Sequence, residues 1–306
     1  MPPVHLAPDV AAFYTAQSAF TDPGDLAPLY ADLPRDPARL ARVARDLMIH
    51  RGEGGTFGHT VAQERLHDDA ETRYLDDILR LVVERNDAPL SQRREPGDRF
   101  VGVCRDFSLL HCSLLRHIGV PARLRSGFAT YFGENGFHCD HVVTEYWDPA
   151  RGWLFADAQL TEPLVADEQR IGFDPMDVPR DRFLVAGKAW RAIRAGEADS
   201  RTFGLHPPEE GPLNGEWFVA GNVRLDLAAL NKVETLLWDI WGTETEAGRE
   251  LTDPVRELYD EVAPVAGDEV LFAAARALFA DREGLRTPRT VLSLAPYNGP
   301  REVTLR

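Results

Sequence analysis

Three residue types that together perform thiol-based acyl transfer occur in order, at short spacing, in the middle of this 306-residue chain. Cys104 lies in GVCRDFSLLHCSLLRHIGVPAR, His141 in CDHVVTEYW and Asp157 in GWLFADAQL. A cysteine supplies the nucleophile and a histidine acts as base and acid. A carboxylate fixes the tautomer and orientation of the imidazole. Taken singly, each residue has an ordinary explanation, because cysteine is among the most buried residue types and a lone His or Asp is commonly structural. The elements that carry the three residues therefore decide the matter.

A β-type approach, RFVGV, runs into a helix predicted over 104–118. Phe107, Leu110, Leu114 and Ile118 follow one side and Leu109, Cys112 and Leu115 lie beside them, so apolar residues cover a wide face and the helix is expected in a core. Gly119 followed by Pro121 is the stop. Cys104 then falls in the first helical turn, where unpaired N–H groups and the positive end of the macrodipole favour an anionic sulfur. Gly102 permits close approach of another group. The backbone N–H of Cys104 is one oxyanion donor and Gln92 is a guess at a second. Arg105 and Asp106 are expected to brace the helix start by an ion pair.

Alternation in 123–132 predicts a strand, and GENG at 133–136 a turn. Residues 141–147 and 153–159 read as a hairpin about DPARG. Its register leaves three alternatives. Centred at 149, His141 sits opposite Asp157; centred at 150, it sits opposite Gln159 and diagonal to Asp157 on the same face. Centred between, the two side chains point to opposite faces and no pair forms.

Rival chemistry is weaker. His138 competes with His141 for the base. HCDH at 138–141 with Cys104 and Cys112 invites a zinc reading, but adjacent strand residues face opposite ways and no CxxC or HxxxH cluster completes a ligand set. The acidic stretches lack a calcium-loop spacing. No metal and no cofactor are expected.

These pieces resemble the transglutaminase-like superfamily of cysteine enzymes. VCRDFSLL resembles the nucleophile motif, HIGVPARLRSGF the helix end and following strand, HVVTEYW the histidine strand with Glu145 four residues on, and GWLFADAQL the aspartate strand. The resemblance covers roughly residues 100–160. It implies Cys104 as nucleophile, His141 as base and Asp157 as orienting group. Papain-like proteases, related in geometry, separate Cys and His much further. The implied activity is hydrolysis or acyl transfer at an amide of a peptide or small molecule, through a Cys104 thioester. The alternative is a catalytically inactive binding module on the same fold.

Elsewhere, helices are predicted around Leu40, Val43 and Leu47, over 71–86, and at 183–195, 223–241, 253–264 and 267–281. Loops are predicted at 51–68, 87–99 and 160–182. The expected class is α+β: a transglutaminase-like (papain-like) core with a buried nucleophile helix on a small antiparallel sheet, then a largely helical C-terminal extension. The expected division is 1–99, an N-terminal helical part; 100–162, the catalytic core; and 163–306, the extension. Its aromatic residues, Phe173, Trp190, Trp217, Trp238 and Trp241, read as core.

Composition limits the partners. With 34 Lys and Arg against 49 Asp and Glu, the net charge of −15 argues against nucleic acid and against an anionic membrane surface. Three cysteines, no basic-then-apolar leader and no spanning apolar run give a cytoplasmic expectation. Oligomeric state is not encoded legibly.

Overall fold

The structure, a computed structural model, describes residues 4–205, 213–242, 250–295 and 297–306. Its contacts divide the chain between two units, Met1–Leu124 with Val143–Val178, and Arg125–Val142 with Pro179–Arg306. Of the three inner boundaries, those after Leu124 and Val142 fall within strands.

The first unit is mainly helical. Helix α1 spans Pro8–Thr15 and α2 spans Pro37–Leu47. Asp36 caps α2 by accepting the Arg39 N–H at 2.9 Å, and Pro37 occupies the first helical position, where no N–H is needed. Leu40, Val43 and Leu47 are buried along one stripe, as the spacing predicts. Met48–His50 leaves α2 as strand β1 and pairs in parallel with β2, Phe100–Gly102. This two-stranded parallel ladder was not expected. Between the two strands run α3 (Gln63–Asp68), inside a segment predicted as loop, and α4 (Leu75–Arg85), which buries Leu75, Ile78, Leu79 and Val82.

Helix α5, Cys104–His117, is buried on all sides through Arg116. Its end is a Schellman motif with Gly119 at φ 86°: Gly119 N–H donates to Arg116 O and Val120 N–H to Leu115 O. The expected stop signal is therefore realised. β3 (Ala122–Ala129) follows, then β4 (His138–Asp148) and β5 (Gly152–Ala156). In this unit β4 and β5 pair from Thr144↔Ala156 to Asp148↔Gly152, so the hairpin is centred at 150. α6, Pro163–Glu168, occupies part of the stretch predicted as irregular.

The second unit has the strand order β6-β3-β4-β7-β8, with β6 Phe183–Val185, β7 Phe203–Leu205 and β8 Leu213–Asn214. β4 and β7 run parallel, whereas β3 with β6 and β7 with β8 are antiparallel. Its helices are α7 (Ala186–Arg194), α8 (Glu216–Leu230), α9 (Asp253–Val262) and α10 (Phe272–Asp281). Trp190, Val219, Val223, Leu227 and Tyr259 form the centre of its apolar core. Beneath β3, Arg125 and Asp226 form a fully buried ion pair at 3.0 Å, with Ser126 N–H donating to the same carboxylate. A three-stranded sheet of β9 (Asp239–Ile240), β10 (Thr290–Ser293) and β11 (Arg301–Thr304), in the order β11-β10-β9, departs from the mostly helical expectation.

The helix predicted at 223–241 is displaced. α8 stops at Leu230, because Lys232 takes φ 66° and closes a Schellman motif, Lys232 N–H to Ala229 O and Val233 N–H to Ala228 O. The apolar residues at 233–240 thus belong to a turn and β9. Trp217, expected as core, is half-buried, whereas Trp190 and Trp241 are buried.

Candidate functional site

Cys104 is the first residue of α5, in the first unit, and is 6% exposed. At that position its N–H has no intrahelical acceptor. The helix start is braced as expected, and the partners are now identified. Val103 N–H donates to the Asp106 carboxylate at 2.9 Å, Arg105 donates to the same carboxylate at 2.9 Å, and Arg105 also reaches the Arg73 carbonyl. Burial pushes the Asp106 carboxyl up, against the pull of Arg105. Gly102 is required by this carboxylate rather than by a ligand, since a Cβ there would stand 2.9 Å from Asp106 Oδ2.

Asp157, also in the first unit, follows β5 as the cap of a 3₁₀ turn at Ala158–Thr161. Its Oδ1 accepts the Gln159 N–H at 3.1 Å, and its own N–H donates to Pro175 O at 2.8 Å. Tyr146 Oη donates to Met176 O and Val178 N–H to Phe155 O. The Pro- and Asp-rich passage after 172 is thus a strap that fixes the aspartate turn. His111, seven residues along α5 from Cys104, is buried; burial lowers its pKa to about 4, against a Pro37 carbonyl contact and the charge of Asp157.

His141 lies on β4 in the second unit, buried, with Tyr131, Phe132 and Phe183 edge-on at 5.8, 4.9 and 6.3 Å between ring centroids. Such a cage leaves the imidazole little freedom to rotate. His138, the rival base, stacks flat on Phe203 at 4.3 Å, and burial lowers its pKa. Cys139 is pushed up to about 11 by burial. Among the described residues no group of three His, Cys, Asp or Glu side chains is arranged to hold a metal ion.

Two sequence expectations need correction or completion. Gln92 is exposed in a turn, and its carbonyl serves Arg94, so it is not withdrawn toward the nucleophile. Glu145 is a packing partner: it meets Arg123 at 2.7 Å, and that guanidinium stacks on Trp153 at 4.0 Å and Tyr14 at 4.9 Å. The sequence reading also missed Glu53 and Gln159, two buried polar residues joined at 2.7 Å. The available signals were a lone acid inside a glycine-rich loop and an amide two residues beyond Asp157.

Residues 62–158 match the family model described as the transglutaminase-like superfamily. The match takes in less than half of the chain. It contains Cys104, His141 and Asp157. Among solved structures, one neighbour is the crystal structure of a candidate cysteine protease from Cytophaga hutchinsonii, 20% identical, with a TM-score of 0.33. The match covers 52% of this chain and 45% of that one, so the chain spans less than half the length of that neighbour. A comparison with curated proteins returned no match. No helix among the described residues is long and apolar enough to cross a membrane.

Proposed function

We propose that the protein performs thiol-dependent hydrolysis or acyl transfer at an amide, with Cys104 as nucleophile, His141 as acid and base, and Asp157 orienting His141. The observation that carries this reading is the hairpin register. Paired positions sum to 300 from Thr144↔Ala156 to Asp148↔Gly152, and that register continued one step would set 157 against 143, a position of the same parity as 141 along β4. This is one of the two registers compatible with an Asp–His pair.

In the reaction, the Cys104 sulfur attacks the amide carbonyl carbon. The carbon–nitrogen bond breaks as the His141 imidazolium gives its proton to the leaving amine, and a thioester remains. Water or an amine then attacks the thioester, His141 takes its proton, and the thiolate is released. Cys104 N–H, at the helix start, is suited to the developing oxyanion. No cofactor enters this scheme. A peptide or amide-containing small molecule is the proposed substrate class, with hydrolysis favoured over cross-linking. The three free cysteines suit a reducing compartment such as the cytoplasm.

Incubation with a panel of peptide amides and activated esters, read by intact mass, tests the reading. The expected result is an acyl adduct on Cys104 that is absent from Cys104→Ala; full turnover by Cys104→Ala contradicts it. The near-complete burial of Cys104 favours a second reading, a transglutaminase-like binding module without turnover. That reading requires no adduct with any member of the panel.

A further inference from the structure

We propose that Glu53 and Gln159 are positioning residues for Asp157, a role that rests on the assignment of Asp157 as the orienting carboxylate. Glu53 stands in the loop RGEGG directly after β1. Its Oε1 accepts the Gln159 side-chain N–H at 2.7 Å, and its Oε2 meets Arg45 Nη1 at 2.8 Å and the His50 N–H at 3.2 Å. Gln159 in turn donates its backbone N–H to Asp157 Oδ1. Both ends of this chain of contacts touch the proposed chemistry. On one side, His50 is paired with Gly102, and Arg51 N–H donates to Gly102 O at 2.9 Å, two residues before Cys104. On the other side lies the turn that presents Asp157. One buried carboxylate therefore ties the strand leading to the nucleophile to the turn holding the orienting group.

The energetics favour a directional role over a packing role. Arg45 has no exposed surface and lies 5.0 Å from the Phe57 ring and 5.3 Å from the Phe107 ring, one helical turn beyond Cys104. Glu53 neutralises that buried guanidinium and has an oxygen left over. A Leu or Met side chain would fill the space of Gln159 without the desolvation cost of an amide. What the amide adds is a fixed hydrogen bond, and with it a fixed turn. Removing such an outer-shell partner lowers activity without changing the reacting groups.

The test uses the full chain and needs no substrate. Alkylation of Cys104 by iodoacetamide at pH 6 is timed in wild type, Gln159→Met, Asp157→Asn, His141→Ala and the double variant Gln159→Met/Asp157→Asn, with urea unfolding of each. Gln159→Met keeps the volume and leaves the Glu53–Arg45 pair intact. It is expected to alkylate about tenfold more slowly than wild type. The double variant should be no slower than Asp157→Asn, because Gln159 acts through Asp157. Gln159→Asn, too short to reach Glu53, gives the same reading with polarity kept if Gln159→Met does not fold. A wild-type rate in the folded Gln159 variant while His141→Ala is slow, or effects that multiply in the double variant, overturns this inference alone. If His141→Ala alkylates as fast as wild type, the triad assignment fails and the positioning role falls with it.

Discussion

The three cysteines occupy environments that separate their reactivity. Cys112 has no exposed surface, and burial pushes the Cys139 thiol up to about 11, well above neutral pH. Cys104 alone sits at a helix N-terminus. Residue types in order made this position legible: a cysteine where a β-type run turns into a helix has a distinctive pattern. The buried partners were not legible, because nothing in RGEGG marks Glu53 as enclosed, and Gln159 reads as one more polar residue at a strand end. Their role depends on contacts separated by 106 positions in the chain. His141 presents an intermediate case. Its strand was readable, but the aromatic residues about it come partly from Phe183, which sequence alone does not bring near.

At the scale of elements, helix ends explain where the reading succeeded and where it failed. α5 and α7 end with glycine in the left-handed region, Gly119 and Gly196, and both C-terminal ends were placed closely, although the predicted start at 183 fell on β6. α6 and α8 close the same motif on Arg170 and Lys232, residues that carry no stop signal, and these were among the helices missed or displaced. The nucleophile helix also carries a pH-dependent contribution. His111 is held neutral by burial, its pKa lowered from 6.5 to about 4. In the unfolded chain it takes a proton near 6.5, so its stabilising contribution is complete above that pH and is lost as pH falls toward 4. Within this window the slope from the one site approaches about 1.4 kcal/mol per pH unit. His111→Met is expected to flatten the stability profile between pH 6.5 and 4 in urea titrations. An unchanged slope assigns the acid sensitivity to other groups.

Across the whole molecule, each unit carries its own fully enclosed ion pair: Arg123–Glu145 in the first and Arg125–Asp226 in the second. The two arginines are two residues apart on β3, on either side of the boundary between the units. Asp226→Ala removes the carboxylate from Arg125 while its contacts with the Ala266 and Gly267 carbonyls stay. The expected loss is about 3–5 kcal/mol in urea unfolding, since one partner of a buried pair then stays charged without its counterion. A loss below about 1 kcal/mol would mean that the carbonyls alone satisfy the guanidinium. The α+β class followed from a helix stripe and an alternating hairpin. The C-terminal sheet did not, because strands of two to four residues are too short for alternation to register.

The central claim is that Cys104 and His141 act as a thiolate–imidazolium pair, and the rate of Cys104 alkylation at pH 6 in wild type and His141→Ala addresses it most directly. The pair predicts a wild-type rate at least about tenfold above that of His141→Ala, because a cation beside the sulfur adds to the helix start in sustaining thiolate at that pH. Equal rates in two folded proteins would contradict it and leave the transglutaminase-like segment as a binding module.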